Sequence, residues 1–340
     1  MSKVMVTGAG GYIGTQLVRD LVANGNDVVA LDRYFFGMEP MQEFINNPKV
    51  QIVKNDIRDL VEKDFQNIDA VCDLACLSND PAGEIDPELT YQINRDGRIH
   101  VAKTAKKAGV KKYIISSSCS VYGQGGDNKL TEESPTNPLS VYAKSTLQAE
   151  QENLSLADNN FSVTSLRNAT VFGLSTRMRF DLVVNLMTLT AFQKGRIIVM
   201  GGGNQWRPLV HVSDVSKAFM TVIQCEDKNV NKEVFNVGLD NFQIKNLAYL
   251  VRENIPVKVE IDFAPDDADK RDYNVSFDKI KNRLNYIADK TIVDGIREIY
   301  KSLVTGYLDT GIKTVTVQWY KHIIESYDII KQIRFNNRII

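Results

Sequence analysis

Two hydroxyl side chains carry the chemistry available to this sequence. Ser118 closes the β-rich run Lys111-Lys-Tyr-Ile-Ile-Ser-Ser-Ser118, and Tyr142 opens the next helical stretch, expected to run to about Asp158. Brought together, an alcohol and a phenol make a proton relay, in which Ser118 orients a substrate hydroxyl and Tyr142 removes its proton as a hydride leaves the carbon. A phenol with its ordinary pKa of about 10 is a poor base near neutrality and needs a cation beside it. In such chemistry the cation is usually a lysine one helical turn on, but here the run reads Tyr142-Ala-Lys-Ser-Thr146. Thr146 holds the one-turn position and carries no charge. Lys144, two residues from Tyr142, points about 200° away on a regular helix and could serve only if the first turn were distorted.

A departing hydride needs an acceptor, and the N-terminal segment reads as a site for one. Lys3-Val-Met-Val-Thr7 is a strand, Gly8-Ala-Gly-Gly-Tyr-Ile-Gly14 follows at once, and an apolar-periodic helix then carries Leu17, Val18, Leu21 and Val22. A second β-branched run, Asp27-Val-Val-Ala-Leu31, closes on Asp32. Strand, tight turn, helix, strand and acid make the first unit of a dinucleotide-binding fold. Gly8 lets the chain turn sharply, Gly11 leaves bare backbone for a pyrophosphate, and Gly14 lets the helix lie close on the sheet. The phosphates would meet free N–H groups at a helix N-terminus, where the dipole favours negative charge. Asp32 is placed to accept hydrogen bonds from both ribose hydroxyls, and its carboxylate would oppose a 2′-phosphate. The cofactor reading is therefore NAD rather than NADP.

The elements that position these groups alternate along the first half. Val50-Gln-Ile-Val53 is a third strand, and the acid just past it makes Asp56 and Ile57 candidate adenine contacts. Ala70-Val-Cys-Asp-Leu-Ala75 is a fourth, leading into the polar Cys76-Leu-Ser-Asn-Asp-Pro81 at the carboxyl edge, where open α/β sheets hold ligands. A helix from Glu88 to Lys107 contains Asn94 and Gly97; an interior glycine costs about 1 kcal/mol and points to close packing. Phe161–Arg167 is a sixth strand, and Glu233–Val237 a late seventh. Helices without strand partners are expected near 179–194, 212–223, 244–252 and 291–301. The expected fold is α/β, a doubly wound, mostly parallel (Rossmann) sheet with a smaller C-terminal substrate-binding lobe. The cofactor domain spans 1–175, with strand 233–238 returning to it, and the substrate lobe spans 176–310. An extension over 311–340 holds Val315-Thr-Val317 and an amphipathic stretch from Trp319 to Ile333, read as packing or subunit contact.

Composition excludes other classes. The 340 residues are 43% hydrophobic and 24% charged with net charge −1, an ordinary soluble globule with no electrostatic reason to bind nucleic acid or an anionic membrane. No apolar run approaches the roughly 20 residues that span a bilayer. Met1-Ser-Lys leads straight into the first strand, so no signal peptide is expected and the expected compartment is the cytoplasm. Cys72, Cys76, Cys119 and Cys225 form no C-x-x-C pair, and His100, His211 and His322 lack ligand spacing, so no metal site is expected. Cys72 and Cys76 read as small core residues.

The ordered set Thr7-Gly8-x-x-Gly11-x-x-Gly14, Asp32, Asp56, Asn94-x-x-Gly97, Ser116-Ser-Ser-x-x-Val-Tyr-Gly123 and Tyr142 resembles the extended short-chain dehydrogenase/reductase family. More narrowly, over roughly residues 3–305, it is similar to the nucleotide-sugar epimerases and dehydratases. The resemblance implies tightly held NAD, a nucleoside-diphosphate sugar in the C-terminal lobe, hydride transfer commonly from sugar C4, and a homodimer paired through the long helices after Glu88 and Tyr142. Asn185 resembles the family asparagine at the sugar-nucleotide phosphates. Gly201-Gly-Gly-Asn-Gln-Trp-Arg207 with Val210-His-Val-x-Asp214 resembles its G-x-G-x-x-x-R…h-H-V-x-D signature, whose arginine grips the diphosphate. Arg271 resembles a second phosphate arginine, and guanidinium forks suit phosphate oxygens. The candidate cofactor contacts are Gly8, Gly11, Tyr12, Ile13, Gly14, Asp32, Asp56, Ile57, Leu74, Ala75, Asn94 and Ser116. The candidate substrate contacts are Ser78, Asn168, Thr170, Asn185, Arg207 and Arg271.

Departures from the pattern narrow the reaction. Family members carry Tyr-x-x-x-Lys, whereas Thr146 stands at the lysine position, leaving Lys144 or Thr146 as candidate replacements. Sugar 4,6-dehydratases carry Asp-Glu where this chain has Cys119 and Ser120, which argues against elimination. Family 3,5-epimerases place a cysteine at the position of Ser120; Cys119 is offset by one residue and would face away if the strand persisted. The family asparagine corresponds to Thr170, with Asn168 two residues earlier on the same strand face as its candidate substitute. The reading is an NAD-dependent nucleoside-diphosphate-sugar 4-epimerase or 4-dehydrogenase, with Tyr142 as base and Ser118 as orienter. The alternative is a catalytically weak or inactive NAD and nucleotide-sugar binding protein, for which the missing lysine is the argument.

Overall fold

Apolar runs broken by glycine- and asparagine-containing turns divide the first half into short strands and helices. They are β1 (Lys3–Thr7), α1 (Tyr12–Ala23), β2 (Asp27–Asp32), β3 (Val50–Lys54), β4 (Ala70–Asp73), the single turn α2 (Asp80–Gly83), α3 (Pro87–Tyr91), α4 (Arg98–Lys107), β5 (Lys112–Ser118), α5 (Val141–Ser155) and β6 (Ser162–Asn168). The second half contributes β7 (Thr170–Phe172), α6 (Val183–Lys194), β8 (Arg196–Val199), β9 (Trp206–His211), α7 (Val212–Gln224), α8 (Asp227–Val230), β10 (Glu233–Val237), β11 (Asp240–Gln243), α9 (Ile244–Asn254), β12 (Glu260–Phe263), α10 (Asp278–Leu284), α11 (Ile292–Val304) and α12 (Thr316–Ile333). This computed structural model describes residues 2–125, 129–265, 271–334 and 338. Lys270, the first residue of the run that carries Arg271, lies outside them.

Seven strands pair in parallel in the order β10-β6-β5-β4-β1-β2-β3. Chain progression runs outward from β1 to β3, then returns to β4 on the other side of β1, so the topological switch lies between β1 and β4. Both faces are covered: Val4, Val6, Val28 and Ala30 join Leu17, Val215 and Phe219, while Met5, Val29 and Leu31 join Val101, Ala105 and Ala149. Burial on both faces is why these strands read as continuous apolar runs rather than alternating ones.

The glycine turn is held by its own backbone. Gly8 has φ +70°, and a Cβ there would meet the Leu74 carbonyl carbon and the Ala75 nitrogen at 2.9 Å each. At Gly14 a Cβ would stand 2.1 Å from the Gly8 carbonyl oxygen. Gly14→Ala must therefore push α1 off the sheet. Overpacking of this kind should cost about 1–3 kcal/mol in urea unfolding and weaken NAD binding together. An alanine variant with wild-type stability would show that the helix does not need that approach.

Three expectations are corrected. The helix foreseen over Glu88–Lys107 is interrupted between α3 and α4 by a π-helical turn, Gln92–Gly97. Asn94 there accepts a hydrogen bond from the Leu77 N–H at 2.7 Å and donates to its carbonyl at 3.1 Å, tying the loop after β4 to the helix. Gly97 makes the close approach its presence suggested, since a Cβ would lie 2.9 Å from Ile57 Cδ1. The second half also has strand partners: β7, β9 and β11 form one small sheet, and β8 and β12 pair in parallel. These strands are short and pair with distant segments, so no local periodicity announces them. The helix foreseen from Arg179 starts only at Val183, because Arg179 and Asp181 are spent on an ion pair in the preceding loop. α12 begins at Thr316, inside the β-branched run Val315-Thr-Val317.

Candidate active site

The carboxyl ends of the parallel strands open onto a cavity of about 830 Å³. One wall is the glycine turn, with Gly8, Gly11, Tyr12, Ile13 and Gly14 on the lining. Gly11 precedes α1 with extended backbone and no side-chain cap, which leaves the first-turn N–H groups available to an anion. Asp32 at the end of β2 accepts from the Gly10 N–H at 3.0 Å and the Tyr34 N–H at 2.6 Å, so its carboxylate braces the turn it faces. Asp56 and Ile57 line the same end. Asp56 is paired with Arg33 at 2.5 Å and Arg58 at 2.8 Å, and the Arg58 hydrogen bonds hold its carboxyl far below the usual carboxylate range.

Further along, the lining takes in Leu74, Ala75 and Ser78 after β4, Ser116 and Ser118 of β5, and Tyr142 of α5. β5 ends at Ser118, and α5 begins at Val141 behind an N-cap formed by Ser140, whose hydroxyl accepts from the Ala143 N–H at 3.1 Å. That cap brings Tyr142 into the cavity beside Ser118. The Ser118 side chain is near enough to favour the ionised phenol, as does Arg98. Burial outweighs both, with Cys76 and Asp80 adding to it, and the Tyr142 phenol is pushed well above its ordinary value.

The structure does not bring four expected residues to the wall. Lys144 is exposed, because two residues of helix turn it away from Tyr142. Thr146 lies one turn on and is buried, and its hydroxyl has no hydrogen-bond partner. Asn94 is occupied with Leu77, as described. Asn185 is wholly buried, accepting from the Gly173 N–H at 3.0 Å and donating to the Tyr12 hydroxyl at 3.1 Å and the Arg179 carbonyl at 2.9 Å. Its hydrogen-bonding capacity is spent joining α1 to the loop before α6. Tyr12 completes that joint by donating to the Gly173 carbonyl at 2.6 Å.

The far half of the cavity carries Asn168, Thr170, Arg207 and Arg271. Asn168 donates to the Ser116 hydroxyl at 3.0 Å and keeps its side-chain carbonyl unpartnered. Arg207 donates to the Trp206 and Arg271 carbonyls, and Arg271 pairs with Asp80, which also accepts from Ser140. Cys119 is set apart from all of these. The strand stops before it, a 3-10 turn begins, and its buried thiol donates to the Arg167 carbonyl at 3.2 Å. Burial pushes that thiol far above its ordinary value, and Cys119 is not on the cavity lining that carries Ser118 and Tyr142.

Sequence reasoning passed over a charged run that lines the wall. Arg179 grips Asp181 with two bonds of 2.9 Å each and donates to Ser78 at 3.1 Å. Arg177, 5% exposed, lies over the Phe36 ring at 3.6 Å and leaves its Nε–H unpartnered. Burial and then the neighbouring Arg179 lower its pKa to about 10, so it stays charged. The alternation Arg177-x-Arg179-x-Asp181 after Gly173 was the signal available, hidden by reading it as the start of a helix. Among the described residues no cluster of His, Cys, Asp and Glu could hold a metal ion, and no helix is long and apolar enough to cross a membrane.

Comparison with known proteins places this geometry. A model of the NAD dependent epimerase/dehydratase family matches residues 4–238. The UDP-glucose 4-epimerase of Lactobacillus helveticus is 30% identical over 256 residues, covering 69% of this chain and 76% of that protein. UDP-glucuronic acid decarboxylase 1 of Arabidopsis thaliana is 27% identical over 307 residues, covering 86% of this chain and 68% of that protein. The solved structure of a UDP-glucuronic acid 4-epimerase from Bacillus cereus, in complex with UDP-glucuronic acid and NAD, shares the fold with a TM-score of 0.81. It is 23% identical and covers 90% of this chain and 100% of its own.

Proposed function

This chain belongs to the NAD dependent epimerase/dehydratase family, and on that premise we propose that it oxidises the C4 hydroxyl of a nucleoside-diphosphate sugar. The outcome is 4-epimerisation when the hydride returns, or net 4-dehydrogenation when it does not. The observation that carries the reading is the meeting of Ser118 and Tyr142 on the wall of a cavity whose other end is an uncapped glycine turn.

The cofactor is NAD, and the residues present fit it. Gly11 offers bare backbone at the start of α1, and the Asp32 carboxylate stands at the cavity edge. Gly8, Gly11, Tyr12, Ile13 and Gly14 would hold the diphosphate end, with Asp32, Asp56 and Ile57 at the adenosine and Leu74, Ala75 and Ser116 towards the nicotinamide. When bound, NAD accepts a hydride from the sugar carbon. The chain's own part is to hold the sugar hydroxyl between Ser118 and Tyr142 and take its proton onto the Tyr142 phenol oxygen. Ser78, Asn168 and Thr170 would bound the sugar, and Arg207 and Arg271 the diphosphate. Elimination lacks an acid at Cys119 or Ser120, which supports epimerisation or oxidation over dehydration.

A nucleotide domain over 1–175 plus the late strand, a substrate lobe over 176–310 and a homodimer complete the proposal. A cytoplasmic setting suits four free cysteines, since reducing compartments keep thiols unpaired. A second reading, a binding protein with little or no turnover, has one observation in its favour: the position one helical turn after Tyr142 is held by the uncharged, buried Thr146, while Lys144 is exposed and turned away. The test mixes protein and NAD with UDP-, GDP-, dTDP- and CDP-sugars, UDP-sugars first because the relatives act on them. Absorbance near 340 nm and product analysis are the readouts. Conversion or reduced cofactor with one sugar is expected; binding without either across the panel would overturn turnover in favour of the second reading.

A further inference from the structure

The chain's last helix is anchored on the rim of the cavity. Its first turns place Val317 and Tyr320 on the same lining as Gly11 and Asp32. Tyr320 packs edge-on against Phe35, with ring centroids 6.2 Å apart, and against Phe36 at 5.6 Å, both in the loop after β2. Its phenol lies within electrostatic reach of Arg177, Cys76 and Asp32, which come from three separate segments. The same helix packs against α2, in the loop after β4. It therefore reaches from the loop after β2 to the loop after β4, across the switch between β1 and β4.

Tethers to both halves of the molecule hold it there. Trp319 Nε1 donates to the Phe35 carbonyl at 2.7 Å, and Lys313 pairs with Glu39 at 3.0 Å. From the other half, the Phe180 N–H donates to the Thr314 carbonyl at 2.8 Å, and Arg177 Nη2 donates to Thr316 Oγ1 at 3.0 Å. Arg177 is thus fixed between the Phe36 ring and Thr316, with its remaining Nε–H unpartnered in a wall that faces the glycine turn's cavity. Beyond Tyr320 most of α12 is exposed, so its seat is made by this first part alone.

We propose that α12 is part of the cofactor site: Val317 and Tyr320 roof the dinucleotide, Thr316 steadies Arg177 to face its diphosphate, and NAD leaves only when the first turns of α12 lift. This rests on the reading of the cavity as the NAD site. It adds that the C-terminal extension controls retention of the cofactor, a role distinct from the packing or subunit contact expected of it.

The test loads full-length protein with NADH, chases with excess NAD and follows loss of bound-NADH fluorescence in stopped flow. Tyr320→Ala should release NADH at least about tenfold faster, the scale of a lost aromatic contact. Tyr320→Phe keeps the ring and should match wild type, while Trp319→Phe loses the tether to Phe35 and trims the ring that meets Lys313 and His322, and should fall between. UDP affinity by calorimetry should be unchanged in all three. If Tyr320→Ala and Trp319→Phe fold, by circular dichroism, and both release NADH within about twofold of wild type, the roof is overturned while the cofactor reading stands. If wild type binds no NADH, both fall. Should Tyr320→Ala not fold, the Trp319→Phe rate decides.

Discussion

Tyr142→Phe removes one oxygen atom from the cavity wall and should lower the rate of NAD reduction by about 10²–10⁴-fold, the usual span for a lost general base. The ring keeps its place behind the Ser140 cap, and the glycine turn is untouched, so NAD and nucleotide-sugar affinities should stay within a few-fold of wild type. Single-turnover absorbance at 340 nm separates the two quantities from each other. Equal rates in Tyr142→Phe and wild type would remove Tyr142 from the chemistry and leave the proton to another group. Ser118→Ala, which takes away the partner that favours the phenolate, should act in the same direction with a smaller effect.

The second large effect is a gain. Tyr142 has its proton affinity raised first by burial and then by Cys76 and Asp80, and the opposing contributions of Ser118 and Arg98 do not win. A base with a raised pKa is active only in the small fraction that has lost its proton. That fraction grows about tenfold per pH unit below the pKa. The wild-type single-turnover rate should therefore climb from about pH 7 to about pH 10 without levelling, as far as the fold survives. Thr146→Lys puts an ammonium one helical turn from Tyr142, and an opposite charge at such range lowers a pKa by about one to three units. The rate near neutrality should then rise at least about tenfold, and the alkaline limb should move to lower pH by the same shift.

Thr146 suits the test because it is buried on the face of α5 below Tyr142 and its hydroxyl has no partner to lose. A thermal melt checks that the longer side chain is accommodated. Superimposable pH profiles for wild type and Thr146→Lys would show that the missing cation does not limit the reaction. Turnover that appears only in the lysine variant would instead identify the natural chain as a binding protein. Lys144→Ala serves as the control: an exposed lysine outside the cavity should leave the profile where it is.

What could be read from residue order alone was whatever is local in sequence and repeated in space. The glycine turn, Asp32, the parallel strands and the helix opening at Tyr142 are each written within a few residues, because a buried strand is one apolar run and a capped helix starts at its cap. Ser118 and Tyr142 are legible for the same reason: both sit at element ends on the edge where an open sheet holds its ligand. Asn94 and Asn185 were legible as motif positions, yet the structure spends both on internal hydrogen bonds to Leu77, Gly173, Tyr12 and Arg179. A motif names a residue type without naming the partners that distant segments bring to it.

Tertiary structure decided what depends on segments far apart in the chain. The pairing of β8 with β12, the seating of Arg177 on Phe36 and of Arg179 on Ser78, and the place of α12 beside Asp32 all join residues separated by long stretches of chain. No periodicity of a short window encodes such contacts, since they form only when packed layers close on one another. The acidity of Tyr142 belongs to the same class. Residue order shows that Lys is absent from position 146, but burial beside Cys76 and Asp80 sets the phenol's proton affinity, and burial exists only once the chain has folded around it.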